Sequence, residues 1–349
     1  MPMLAYTSVY LIPALFMVGL VGRGLWTWAV ALVIYAIIPL VEHFLPGSTS
    51  NVDASGQAAR RGDPVGRFVT YSLFPIQVAC SVGFLAVFDM LKPVEAVGLT
   101  VGLGTIQGAL GINGAHELGH QRTRYSKRIA KSMLIWSIYP HFLAEHNRGH
   151  HTRVATADDP ATAPRNQTVY TFWFQSLIGG VISAWTLESA RLQRKRRGSW
   201  SLQNEVLRGC VMATAGLALI TVVFGIAAAC AFLCASLFGV LLLETVNYLQ
   251  HYGLTRARAA DGTYERVGPQ HTWTSNHVLS RVLLLDLPRH ADHHLHAGRY
   301  YANLKHHERS PLLPTGYPGL IILALIPPLF LLVMNRSLDR FQDRVIAND

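Results

Sequence analysis

Apolar residues in this chain come in long blocks separated by short polar stretches rich in Arg, Lys and His. Four blocks lie at roughly 6–22, 25–45, 68–90 and 94–114, each close to the ~20 residues a helix needs to cross a bilayer. A fifth block, Leu207 to Gln250, is about twice that length and carries only Arg208 and Glu244 as charges. It predicts two antiparallel spans, 207–225 and 229–249, turning near Gly225–Ala229. The pattern predicts an all-α membrane protein with about six transmembrane helices. Residues 115–206 and 250–349 form the polar remainder of a single domain covering 1–349.

Two weaker blocks, 132–144 and 170–186, are broken by polar residues and predict helices at the interface or packed under the polar segments. Tyr317–Met334 is long enough to cross, but Pro327–Pro328 interrupts it, which predicts a membrane-dipping or interfacial hairpin. Pro46–Asp63, rich in Gly, Ser, Ala and Asn, predicts the most flexible connection.

Half of the 349 residues are hydrophobic, 14% are charged, and the formal net charge is +10. The cations gather beside apolar blocks, which fits topology signals and anionic lipid better than nucleic acid. Arg60, Arg61 and Arg67 follow the second block; Arg122, Arg124, Lys127, Arg128 and Lys131 follow the fourth. Arg191, Arg194, Lys195, Arg196 and Arg197 precede the fifth, while the opposite loops hold little beyond Arg23 and Lys92. The positive-inside rule then places both termini and the polar segments in the cytosol. A basic cytosolic face also suits an acidic protein partner. The N-terminus reads as a first span rather than a cleaved signal. Cys80, Cys210, Cys230 and Cys234 read as buried reduced thiols. Gly98, Gly102, Gly104, Gly108 and Gly111 miss the dinucleotide fingerprint and read as close helix packing.

Chemistry concentrates in four polar segments. His116-Glu-Leu-Gly-His120 ends the fourth block with two imidazoles at i and i+4, on one helix face. Glu145-His146-Asn-Arg-Gly-His150-His151 repeats that spacing and adds a neighbour. His251 lies in Asn247-Tyr-Leu-Gln250-His251-Tyr-Gly253, at the end of the fifth block. Leu287-Pro-Arg-His290-Ala-Asp292-His293-His294 sets three imidazoles within one turn, so that His290 can converge with both partners on one metal cluster. A zinc ion takes about four ligands, so His116, His120, His146, His150, His151, His251, His290, His293 and His294 suit two ions rather than one. Imidazole accepts Zn, Cu, Fe and Ni, so ligand type leaves the metal open. Glu117, Glu145, Asp158, Asp159 and Asp292 are candidates to support the rings through hydrogen bonds. His43, His141, His271, His277, His306 and His307 suit ordinary roles, with His296 the nearest to an exception. A membrane zinc protease built on His116, Glu117 and His120 would leave most of the other rings unexplained. A metal transporter would place its ligands at mid-membrane rather than at span ends.

These segments resemble the integral-membrane non-haem di-iron monooxygenases, most closely the alkane 1-monooxygenases. That family carries His-Glu-Leu-x-His, Glu-His-x-x-Gly-His-His, Asn-Tyr-x-Glu-His-Tyr-Gly and Leu-Gln-Arg-His-Ser-Asp-His-His. Here Gln250 replaces Glu in the third, and Pro288 and Ala291 replace Gln and Ser in the fourth. The resemblance implies a six-helix fold with two iron ions on the nine histidines, below a hydrophobic substrate channel. It also implies terminal hydroxylation of medium- or long-chain n-alkanes with O2. Electrons would come from rubredoxin and its NADH-linked reductase, in a bacterial inner membrane with the site facing the cytosol. Gln250 joins the supporting residues as the departure from the pattern. Xylene monooxygenase-like relatives resemble it with Gln there, so methyl hydroxylation and fatty-acyl hydroxylation or desaturation are the implied alternatives. An unactivated C–H bond offers no acidic proton or carbonyl, so a redox metal is the chemistry it needs. No flavin, haem or iron–sulfur signature is present in the sequence, so the electrons must come from outside the chain.

Overall fold

The computed structural model describes residues 1–347. Five helices among them are long and apolar enough to cross a membrane. They are α1 (Met3–Gly22), α2 (Gly24–Phe44), α3 (Pro64–Met90), α4 (Pro93–His120) and a continuous helix, Glu205–His251. Between them come α5 (Arg124–Trp136) and α6 (Val169–Gln193). The continuous helix has 47 residues, about 70 Å at ~1.5 Å per residue, more than twice a hydrocarbon core of ~30 Å. Gly225 resolves the conflict. Its φ of 84° and ψ of 164° break the helix into α7 (205–224) and α8 (226–251), a conformation open to a residue without Cβ. No β-strand forms among the described residues, only isolated bridges at Arg258–Tyr264 and Thr274–Leu312.

Helix ends follow local chemistry. Asp63 accepts from the N–H of Val65 ahead of Pro64 and starts α3. Glu95 accepts from the N–H of Gly24 at 2.7 Å and of Lys92 at 2.9 Å, joining the starts of α2 and α4. α4 is the central helix, 78% of its most apolar window being buried against 22% for the Glu205–His251 helix. The glycines permit that burial. A Cβ on Gly104 would lie 2.8 Å from the carbonyl of Ala235, and one on Gly108 2.8 Å from that of Gly239, so α4 and α8 pack backbone to backbone.

One expectation is corrected, and two others gain local detail. Among the cysteines Cys80 alone is buried; Cys210, Cys230 and Cys234 face outward. An apolar residue in a bilayer need not lie inside the protein, because lipid is as apolar a neighbour as a core. The 46–63 connection carries local structure: Asp53 caps a short helix, Ala54–Gly62. Carbonyls of Ser48 and Ser50 accept from the buried Arg289 guanidinium, and Arg281 shares Ser48. Tyr317–Met334 divides into α10 (Tyr317–Ala324) and α11 (Pro327–Ile346), which follow α9 (His290–Leu295). The break falls at Leu325 and Ile326, before the prolines rather than at them. A proline is tolerated in a first helical turn, and disfavours the helical conformation in the residue before it.

Candidate metal centre

α4 runs past residue 114 to His120, through a π-helical turn at Gln107–Ile112, and carries His116 and His120 on one inward face. Another π-turn, His146–His150, lies between α5 and α6. α8 delivers His251 at its end. α9 follows a strained entry in which Leu285 and Asp286 both have φ of 53°. Asp286 is held there by Arg281 Nε at 2.6 Å and by the hydroxyl of Tyr6 from α1.

The nine rings meet in two groups, His116, His120, His146, His151 and His293 in one and His150, His251, His290 and His294 in the other. Within each group the donor atoms lie within 4.8 Å of one another. Facing Nε2 atoms are 2.9 Å apart in His116–His293, 3.0 Å in His151–His293 and 3.1 Å in His146–His151 and His290–His294. Two nitrogens each ~2.1 Å from one ion at a right angle would be roughly 3.0 Å apart, so the spacing fits shared metal ligation. Buried ring nitrogens without partners say the same: His120 Nε2, His150 Nε2 and a ring nitrogen of His251. Such orphans cost about 1–3 kcal/mol each unless something else satisfies them. Burial, reinforced by neighbouring rings, holds His146, His151, His290, His293 and His294 well below the usual histidine range. These rings are therefore neutral, the form that binds metal. Each group can hold a metal ion.

The fatty acid desaturase family model matches residues 93–321, the stretch that carries all four histidine segments. Alkane 1-monooxygenase 1 of Alcanivorax borkumensis is 36% identical over 92% of this chain and 80% of its own length. The alkane 1-monooxygenase of Acinetobacter baylyi is 34% identical over 87% of this chain and 75% of its own.

The chain belongs to the alkane 1-monooxygenase family.

A more distant relative, the xylene/toluene monooxygenase hydroxylase component XylM of Pseudomonas putida, is 26% identical over 96% of this chain and 89% of its own. With these relatives and five bilayer-length helices, this alkane monooxygenase homologue is a multi-pass membrane protein.

The grouping in this family member differs from simple helical spacing. His290 joins His294, while His293 turns to the other group, because the short α9 sits between the two groups rather than beside one. His146 pairs with His151 rather than with His150. In the π-turn, hydrogen bonds run five residues back instead of four, and that brings positions i and i+5 together.

The six supporting candidates take different places. Asp159 accepts from Nδ1 of His150 at 2.9 Å, both side chains buried. In the neutral ring that bond places the proton on Nδ1 and leaves the Nε2 lone pair toward the second group. Burial lowers His150 and raises Asp159, but their mutual attraction, with Glu145 and Glu244 acting on the ring and Thr162 on the carboxylate, outweighs it: His150 sits above its usual value and Asp159 below. Asp158 is exposed. Glu145, pushed up to about 7 by burial, accepts from Arg153 at 2.9 Å and Ser183 at 3.2 Å. Glu117 accepts a 3.4 Å bond from Gln121. Asp292 takes Arg299 Nη1 at 2.5 and 2.6 Å and His307 Nε2 at 2.7 Å. Gln250 donates to the Tyr317 hydroxyl at 2.8 Å.

His307 therefore lies beside this region, His141 lines a small cavity with His146 and His150, and His296 is exposed. Sequence distance from His294 misled, because the chain loops back to bring His307 to Asp292. Glu244, which the histidine spacing leaves unassigned, also lines the cavity beside His146 and His150. It lies buried with Tyr139 at 2.8 Å, Asn247 at 3.2 Å and the hydroxyl of Ser176. A carboxylate alone in an apolar run was the available signal.

Proposed function

We propose that the two groups hold two iron ions, with His116, His120, His146, His151 and His293 on one and His150, His251, His290 and His294 on the other. The protein then hydroxylates the terminal carbon of medium- or long-chain n-alkanes to 1-alcohols. It does so in the bacterial inner membrane, with the centre facing the cytosol. The convergence of nine buried or half-buried rings into adjacent groups of five and four is the observation that carries this reading. When bound, the iron pair supplies O2 activation, the chemistry an unactivated C–H bond requires. Overall, alkane, O2, two electrons and two protons give alcohol and water. We assign the electrons to rubredoxin and its NADH-linked reductase. The asymmetry of Arg and Lys between the loops supports the cytosolic orientation.

The chain's own part is to bring in hydrocarbon and keep out water. An apolar cavity between α1, α2, α4, α8 and α10 is lined by Ile12, Ile34, Ala109, Val246, Leu287 and Ile321. It reaches Asn113, one turn before His116 on α4. Asn113 donates to the carbonyl of Leu284 at 2.9 Å, spending its amide on the backbone and leaving an apolar approach. Hydrocarbon dissolved in the bilayer can enter such a cavity without crossing water.

Membranes containing the protein, supplied with rubredoxin, its reductase, NADH and O2, should convert octane or hexadecane to the 1-alcohols. p-Xylene belongs in the same experiment, because Gln250 favours a second reading as a methyl hydroxylase. Predominant 4-methylbenzyl alcohol would select that reading. Metal-replete protein with one zinc and no iron would sink both.

A further inference from the structure

α6 is not among the helices apolar enough to cross a bilayer, yet one side of it is open and hydrophobic. Phe174, Ile178 and Ile182 are 71%, 59% and 61% exposed, and their spacing by four puts them on one stripe. Trp185 continues the stripe and packs its ring 4.9 Å from that of Trp200, itself 79% exposed. Between the two tryptophans the chain presents Arg194, Lys195, Arg196 and Arg197, all exposed and none in an ion pair among the described residues.

The cations sit on a fixed turn. The N–H of Lys195 and of Arg197 both donate to the carbonyl of Leu192, at 2.9 and 3.0 Å. Arg196 adopts φ of 55° between them. Asn204 closes the loop, donating to the carbonyl of Ser199 at 2.8 Å and capping α7. A surface ordered in advance loses little entropy when it binds.

We propose that this face of α6 and the 194–202 loop form a binding surface for anionic phospholipid, the phosphates meeting the four cations and the acyl chains meeting Trp200 and the α6 stripe. An acidic protein would complement the cations but not a row of exposed aliphatic and aromatic side chains beside them. Phospholipid complements both, and tryptophan with arginine is the pair that suits a bilayer interface. The other side of α6 touches the polar segment of the second histidine motif: Ser183 donates to Glu145 at 3.2 Å, and Glu188 accepts from Arg148 at 2.8 Å. Bound lipid would thus steady the segment that carries His146, His150 and His151.

The test places the purified protein in nanodiscs of phosphatidylcholine alone, or of phosphatidylcholine with phosphatidylglycerol. It compares the parent protein with a variant carrying R194Q, K195Q, R196Q and R197Q, and with one carrying R194K, K195R, R196K and R197K. Each interfacial cation attracts anionic lipid by about fivefold, so the neutralised variant should retain at least tenfold less phosphatidylglycerol on purification. Phosphatidylglycerol should raise the melting temperature of the parent and of the charge-preserving variant, and leave the neutralised one unmoved. Equal shifts in all three proteins, or in none, would overturn the proposal. So would a neutralised variant that keeps its lipid response but loses the salt dependence of reduction by the electron donor, since the loop would then dock that protein.

Discussion

Asp159 and His150 are joined by a 2.9 Å hydrogen bond in the interior, and Thr162 adds a second donor to the carboxylate at 2.6 Å. The pairing fixes which nitrogen of His150 faces the four-histidine group, and its negative charge offsets some of the charge a cation would bring. Asp159→Asn keeps the shape and removes the charge. Metal affinity of that group should fall about 10–100-fold, read as metal lost per protein against rising chelator concentration. Asp158→Asn, one residue away and exposed, should behave as the parent. Equal chelator resistance in both variants would show that Asp159 does not support the site.

The entry to α9 rests on a buried ion pair. Arg281 and Asp286 are 4% and 1% exposed at the side chain, 2.6 Å apart, and Tyr6 adds its hydroxyl from α1. Removing one partner of such a pair strands the other charge, at a cost of about 3–5 kcal/mol. Asp286→Asn should lower thermal stability by that order and lose metal on the way, because the two left-handed residues that aim α9 lose their anchor. Tyr6→Phe removes one neutral donor and should cost about 1–2 kcal/mol. If Asp286→Asn melts with the parent, the pair is not what holds the strained turn.

Periodicity could show the long helices, and the histidine spacing could show that four segments share a chemistry. It could not show which ring goes where. His146 and His150 sit at i and i+4, the spacing of an α-helical pair, and only the π-turn at His146–His150 separates them. Asp158 and Asp159 are indistinguishable as letters; the chain turn that buries one and exposes the other is a tertiary property. The anchoring of residues 46–53 was hidden for another reason. It depends on main-chain carbonyls accepting from Arg289, and carbonyls leave no trace in a sequence.

Glu188 gives a pH test outside the membrane-spanning helices. Burial alone would raise its carboxyl, but Arg191, the N–H of Glu205 and Arg148 outweigh burial and hold it at about 2. A depressed carboxylate contributes stability above its unfolded value of ~4.3 and loses that contribution as pH falls through its folded value. The parent should therefore lose about 1–3 kcal/mol between roughly pH 5 and pH 2 from this group. Glu188→Gln should start lower at neutral pH and show a shallower acid limb. Parallel curves for the two proteins over that range would remove Glu188 from the account.

His293 and His294 are adjacent in sequence and belong to different groups, which separates a two-ion centre from any single-ion reading. His293 Nε2 faces His116 at 2.9 Å and His151 at 3.0 Å, while His294 Nε2 faces His290 at 3.1 Å. If each group holds its own ion, His293→Ala and His294→Ala should each lose about half the bound metal. They should lose different halves, distinguishable by absorption after cobalt loading. Combining the two substitutions should then remove nearly all of it. His296→Ala, at an exposed position two residues further on, should keep the full complement. A single-ion site makes the opposite forecast: either substitution alone would empty it or neither would, and the spectra of the two variants would coincide.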